Sequence, residues 1–291
     1  MKGPYKLLIF PSFILLLFLI AYPLAFSLYY SFFFWNLAVS HEPLGFVGLD
    51  NYVTVLSDPR VGKATMITLI LAVVATSIEL ALGLGIAVLL DRDFRGVGLF
   101  RALLVMPTAI APVVAGLIFR YMFYQGIGMG FFPWFLHTIG IGTPERGILG
   151  DSSTALFGVM LSMIWRWTPF FAITTLAGLK SVPVELLDAA KVDGASGYTL
   201  FRYIKLPYAR KVMLIVFIIA FMMHFNTYDE VYAMTRGGPG DATTTLSYLL
   251  YREGLIYYNI GVASAMTWLI AIILLIAVNL YFKVTFKGEE I

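Results

Sequence analysis

Six stretches of this 291-residue chain are apolar over about the length a helix needs to cross a lipid bilayer, and no other feature restricts the fold as hard. A hydrocarbon core of about 30 Å takes about 20 residues of helix, and inside it every backbone N–H and C=O must be bonded within the segment. The runs fall at about 7–30, 67–90, 99–123, 156–178, 212–234 and 262–282. Charged residues are 13% of the chain, against about a quarter in a soluble domain, too few to cover a water-soluble core. The first run exceeds the usual apolar length of a secretory signal and is read as a retained span. The expectation is an all-α membrane protein with six transmembrane helices, forming a single transmembrane domain over residues 1–291.

Positive charge sets the orientation. Lys2 and Lys6 precede the first run, Arg92, Arg95 and Arg101 join the second to the third, and Lys283 and Lys287 follow the last. The connection between the fourth and fifth runs carries Lys180, Lys191, Arg202, Lys205, Arg210 and Lys211. These make 13, against six on the opposite side (Arg60, Lys63, Arg120, Arg146, Arg236 and Arg252) and Arg166 inside a run. An excess of Lys and Arg marks the cytoplasmic side, so both termini and the fourth-to-fifth connection are placed there. The net charge of +3, clustered in loops, argues for topology control and against nucleic-acid binding. No cysteine is present, which excludes disulfides and thiolate sites, and His41, His137 and His224 are too scattered for a metal centre. Gly62-Lys63 is followed by Ala64 and has Ser57 where a phosphate-binding loop needs glycine, so no nucleotide site is expected.

The external loops are small. Asp50 is a candidate cap for a short surface helix, residues 124–155 are rich in glycine and aromatics such as Trp134, and Thr235 to Gly240 reads as a glycine turn. The connection 180–211 is the most polar stretch between two spans. In it Val184–Val192 reads as an amphipathic helix, Asp193-Gly194 as its stop, and Ser196–Tyr203 as a second helical piece with Phe201 and Ile204 on one side. Leu206-Pro207 is expected to end that piece before the fifth span. On physics alone this is either a helix-turn-helix offered to a partner or an amphipathic connector covering helix ends.

Asp188-Ala189-Ala190, Asp193-Gly194-Ala195 and Leu206-Pro207 resemble, in type and spacing, the EAA loop of permease subunits of ATP-binding-cassette importers. The family usually has Glu where this chain has Asp188. The likeness extends along the chain through Phe46-Val-Gly-Leu-Asp-Asn-Tyr, Trp165 with Pro169, Thr235-Arg-Gly-Gly-Pro and Gly261-Val-Ala-Ser-Ala, which resemble the sugar-importing, maltose-type branch. Relatives in that branch also move polyols and glycerol phosphates. The resemblance implies a multi-pass protein of a prokaryotic inner membrane that translocates a carbohydrate by alternating access and is not itself an enzyme. It implies two cytoplasmic ATPase subunits that use ATP and Mg, an external substrate-binding protein, and a second permease that in this branch is usually a different chain. Loop 180–211 would then couple to the ATPase through Asp188, Ala189, Ala190, Asp193, Gly194, Ala195, Phe201, Leu206 and Pro207.

Polar groups deep in a span are costly and mark pathways. Trp165, Arg166, Trp167 and Phe170 in the fourth run, and His224, Asn226, Thr227 and Tyr228 in the fifth, combine hydrogen-bonding groups with rings that stack on sugars. His224, Thr227 and Tyr228 share a helical face by spacing. Arg166 could instead pair with Glu79 or Asp229, and His224 and Asn226 could serve interhelical bonds. Three other classes compete with an importer subunit. An ion-coupled secondary transporter would need a midplane acid, for which only Glu79 is available. A membrane scaffold would need no polar lining, and a membrane enzyme would need a nucleophile–base pair that the sequence does not display.

Overall fold

The computed structural model describes residues 5–92, 94–125, 129–142 and 146–285, with side chains from Phe10 onward. Lys2 and Lys287, counted above, lie outside the described residues, as does the side chain of Lys6. In chain order the elements are α1 (Phe10–Tyr30), β1 (Phe33–Phe34), β2 (Gly45–Phe46), α2 (Asp50–Ser57), α3 (Pro59–Leu90), α4 (Val97–Ala109) and α5 (Pro112–Met122). They continue with α6 (Phe131–Thr138), α7 (Ala155–Lys180), α8 (Val184–Val192), α9 (Gly197–Phe225), α10 (Asp229–Met234), α11 (Leu246–Tyr251) and α12 (Ile260–Thr285). Among the described residues, α1, α3, α7, α9 and α12 are each long and apolar enough to cross a membrane, and α4 with α5 makes a sixth if the pair is one span.

The third span differs from a straight rod: α4 and α5 meet at 96°. Pro107 and Pro112 flank the break, and a proline removes a backbone donor and biases the residue before it to extended backbone. Ile110 and Ala111 are extended, at ψ of 130° and 139°. The fifth span is also shifted from its hydropathy. Its helix starts at Gly197, runs through Leu206-Pro207 without ending, and stops at Phe225. A widened turn at Phe201–Lys205 precedes Pro207, and such a turn relieves the clash of a proline ring with the preceding turn. Residues 229–234, counted with the fifth run, belong to the separate helix α10.

One compact unit comprises residues 1–62 and 249–277. It contains the departures from an all-α chain among the described residues, an antiparallel ladder pairing Phe33 with Phe46 and Phe34 with Gly45 and an isolated antiparallel bridge between Asn36 and Asn259. The buried amide of Asn51 donates to the carbonyls of Ser31 (2.8 Å) and Phe33 (2.9 Å). Gly261 sits so close to this turn that a Cβ would lie 2.3 Å from the Phe33 carbonyl oxygen, and its N–H donates to the Trp35 carbonyl. Asn36 and Asn259 bond side chain to side chain. Asp50 is the first residue of α2 and not its cap, a position held by Leu49. Its carboxylate therefore acts on the helix dipole and not as a hydrogen-bonding cap.

The other unit comprises residues 63–248 and 278–291. Its centre is the packing of α3, α7 and α9. Gly83 lets α3 lie directly on α7, where a Cβ would be 2.4 Å from the Phe171 Cβ, and Gly178 of α7 does the same against Ala209 of α9. Small residues at helix contacts are the usual means of close approach in a membrane, where no hydrophobic effect drives helices together. Ala87, Leu90, Leu176, Leu179 and Ala209 form one closed cluster, and Phe171, Val216 and Ala220 another. Gly116 of α5 packs on α10 in the same way, since a Cβ there would lie 2.8 Å from the Ala233 Cβ.

Candidate functional site

The connection between α7 and α9 is a helix, a turn and the start of a longer helix. None of the residues of α8 is buried, and Val184, Leu186 and Val192 expose apolar side chains. Its end is a Schellman turn: the N–H of Ala195 donates to the Ala190 carbonyl (2.8 Å) and that of Gly194 to the Lys191 carbonyl (3.0 Å). Gly194 holds φ at +85°, as an Asp-Gly stop requires. Asp188, Ala189, Asp193, Gly194 and Pro207 are exposed, while Ala190, Ala195 and Leu206 are half-buried. Asp188 accepts from Lys191 at 2.9 Å, with both side chains about 60% exposed, so the pair adds little to stability. Phe201 differs from these, for it packs on the Ala87–Leu90 cluster.

The second constellation lies where α3, α7 and α9 meet α10. Arg166 does not pair with Glu79 or Asp229; its guanidinium donates to Glu230 at 2.8 Å. Glu79 instead bonds His224, whose Nε2 lies 2.9 and 2.8 Å from the two carboxylate oxygens. Glu79, His224 and Glu230 are 0, 1 and 3% exposed, so each polar group depends on its protein partner. Trp167 ties the two pairs together: its ring meets His224 edge-on at 5.4 Å, and the Arg166 guanidinium lies 5.4 Å from its centroid. Phe170 makes an edge contact with Trp167 at 5.6 Å. On the same helices, α3 and α7, the hydroxyls of Thr76, Ser162, Thr168 and Thr175, and Arg166 Nε, are buried without a protein partner among the described residues.

Of the sequence-selected residues, Arg166, Trp167, Phe170 and His224 are therefore brought together. Trp165 points elsewhere and packs on Phe119 of α5 at 5.5 Å. The shared helical face expected of His224, Thr227 and Tyr228 is not formed, because α9 ends at Phe225. Asn226 is exposed and folds back on the Met222 carbonyl, the Thr227 carbonyl accepts from Thr245, and Tyr228 stacks on Tyr232 and Tyr248. Sequence reasoning missed Glu230 as the partner of Arg166. The signal was its place beside Asp229, but which of two adjacent carboxylates faces inward depends on where α10 begins.

Three comparisons bear on this geometry. A family described as "Binding-protein-dependent transport system inner membrane component" matches residues 79–285. A probable ABC transporter permease protein, y4oQ, of Sinorhizobium fredii is 36% identical over 97% of this chain and 89% of its own length. The trehalose/maltose transport system permease protein MalF of Thermococcus litoralis is 34% identical over 82% of this chain and 79% of its own. Among solved structures, a bacterial ABC transporter that imports the acidic polysaccharide alginate contains a chain of the same fold. Its TM-score is 0.82 at 18% identity, covering 98% of this chain and 96% of that one.

Proposed function

We propose, from the premise that this chain belongs to the family of binding-protein-dependent transport system inner membrane components, that it is the permease of an ABC importer for a carbohydrate. It is an inner-membrane protein, and residues 1–291 act as one transmembrane permease domain. Both termini and segment 180–211 lie on the cytoplasmic side, a reading supported by the 13-to-6 division of Lys and Arg. There α8 and its turn seat in a partner ATPase, two copies of which supply the ATP and Mg chemistry that this chain does not carry out. A second permease chain completes the pore, and an external binding protein delivers the sugar.

The observation that carries the coupling role is α8 itself. A helix with no buried residue, exposing Val184, Leu186 and Val192 beyond the lipid-length runs, is stabilised by something outside this chain. Asp188, Ala189, Ala190, Asp193, Gly194 and Ala195 form the docking knob, and Phe201, Leu206 and Pro207 tie it to the spans.

The carbohydrate reading is supported by the Trp167–Phe170 pair on α7, by the buried hydroxyls of α3 and α7 that lack protein partners among the described residues, and by the sugar named for the Thermococcus relative. Trp167, Phe170, Arg166 and His224 border the pathway, with Asn226, Thr227 and Tyr228 towards its outer end, while Trp165 faces Phe119 instead. Mass spectrometry of the ligand retained by the external binding protein tests the substrate class. A mono- or oligosaccharide is expected; an amino acid, peptide or metal ion would overturn the assignment.

A further inference from the structure

Segment 180–211 is fastened to the second span at a point that neither the charge count nor the loop motif indicates. Lys205 Nζ donates to Asp91 Oδ2 at 2.5 Å, with the two side chains 21 and 16% exposed. Asp91 caps the end of α3, its N–H still bonded to the Ala87 carbonyl. A carboxylate at a helix C-terminus opposes the helix dipole, so Asp91 does not serve α3 on its own. Lys205, the last residue of the widened turn in α9, supplies the positive charge. Phe201, one turn earlier, seats on the Ala87–Leu90 cluster and fixes the register of the contact.

Behind this pair α3 has no slack. Gly83 holds its backbone against Phe171, and Ala87 and Leu90 are closed in with Leu176, Leu179 and Ala209. Twelve residues before Asp91, about 18 Å along the helix, α3 carries Glu79, bonded to His224 of α9. A push at Asp91 therefore reaches the buried polar constellation through one helix that packing keeps stiff. The exposed Asp188–Lys191 pair has no such attachment, since both its members lie on α8.

We propose that Asp91 and Lys205 are positioning residues for transport, a strut that passes displacement of the coupling segment to the second span. The inference rests on the reading that segment 180–211 docks on the ATPase. It is tested in the assembled transporter in nanodiscs by hydrogen exchange, nucleotide-free against ATP with vanadate. In the wild type, nucleotide is expected to alter exchange in both 183–207 and 84–92. In D91A the response of 183–207 should persist while that of 84–92 falls about fivefold, within the range for residues that carry coupling. The exchanged pair D91K/K205D should restore it. An unchanged response of 84–92 in D91A, or a charge-exchanged variant as deficient as D91A, would overturn the strut. If D91A does not assemble, D91N, which keeps an accepting oxygen and loses the charge, carries the same comparison. No response of 183–207 in the wild type would instead remove the docking reading, and the strut with it.

Discussion

Gly194 carries a requirement that few residue types satisfy. At φ +85° a side chain meets its own backbone, although the space around the turn is open. The cost is therefore conformational, about 1–2 kcal/mol for an L-residue in the left-handed region and more for a β-branched one. Gly194→Val is expected to undo the Schellman turn and abolish co-purification with the ATPase, whereas Gly194→Asn, which tolerates this region, should retain it. Normal co-purification of the Val variant would refute docking through this turn. A second residue-scale effect is acid sensitivity in the unit of residues 1–62 and 249–277. Arg60 donates to Asp58 (2.7 Å) and Glu253 (2.9 Å), and its hydrogen bonding holds the Asp58 carboxyl below its usual value. A depressed acid contributes stability above its unfolded pKa, about 3.9, and loses it as pH falls through the lower folded value. Protection of 249–262 against hydrogen exchange, relative to the intrinsic rate at each pH, should thus be flat from neutral pH down to about 4 and fall below it, and Asp58→Asn should remove part of that step.

Between elements, the contact of α7 with α10 rests on Arg166 and Glu230. Breaking a buried pair leaves an uncompensated charge, worth about 3–5 kcal/mol, whereas replacing both members by apolar residues is often nearly neutral. Arg166→Met should therefore lower the melting temperature of the solubilised protein sharply, and Arg166→Met with Glu230→Met should recover most of the loss. A double variant as unstable as the single one would contradict the pairing. The Asp-Gly turn was readable from sequence because its requirement is local, set by glycine and the preceding helix. The ion partners were not readable, because Glu230 faces Arg166 only once α9 has stopped at Phe225, and hydropathy continues through Val231 and Met234. Proline was equally ambiguous: Pro107 and Pro112 break the third span, while Pro207 sits inside a helix behind a widened turn. The motifs around Asn51 and Gly261 looked independent, yet both pack on the Ser31–Trp35 turn.

At the scale of the whole molecule, close packing through Gly83 and Gly178 makes the α3–α7–α9 group stiff, as rigid-body alternating access requires. Gly83→Leu should force α3 off Phe171 and suppress transport even if ATP is still hydrolysed; retained uptake would show that this packing is dispensable. The central claim, that this chain is the permease of an ATP-driven importer, is tested most directly in proteoliposomes holding the permease pair, its ATPases and the external binding protein. Uptake of the sugar carried by that protein should require internal ATP, persist when an uncoupler collapses the ion gradients, and vanish when the ATPase is omitted. Uptake that survives without the ATPase and collapses with the uncoupler would contradict it.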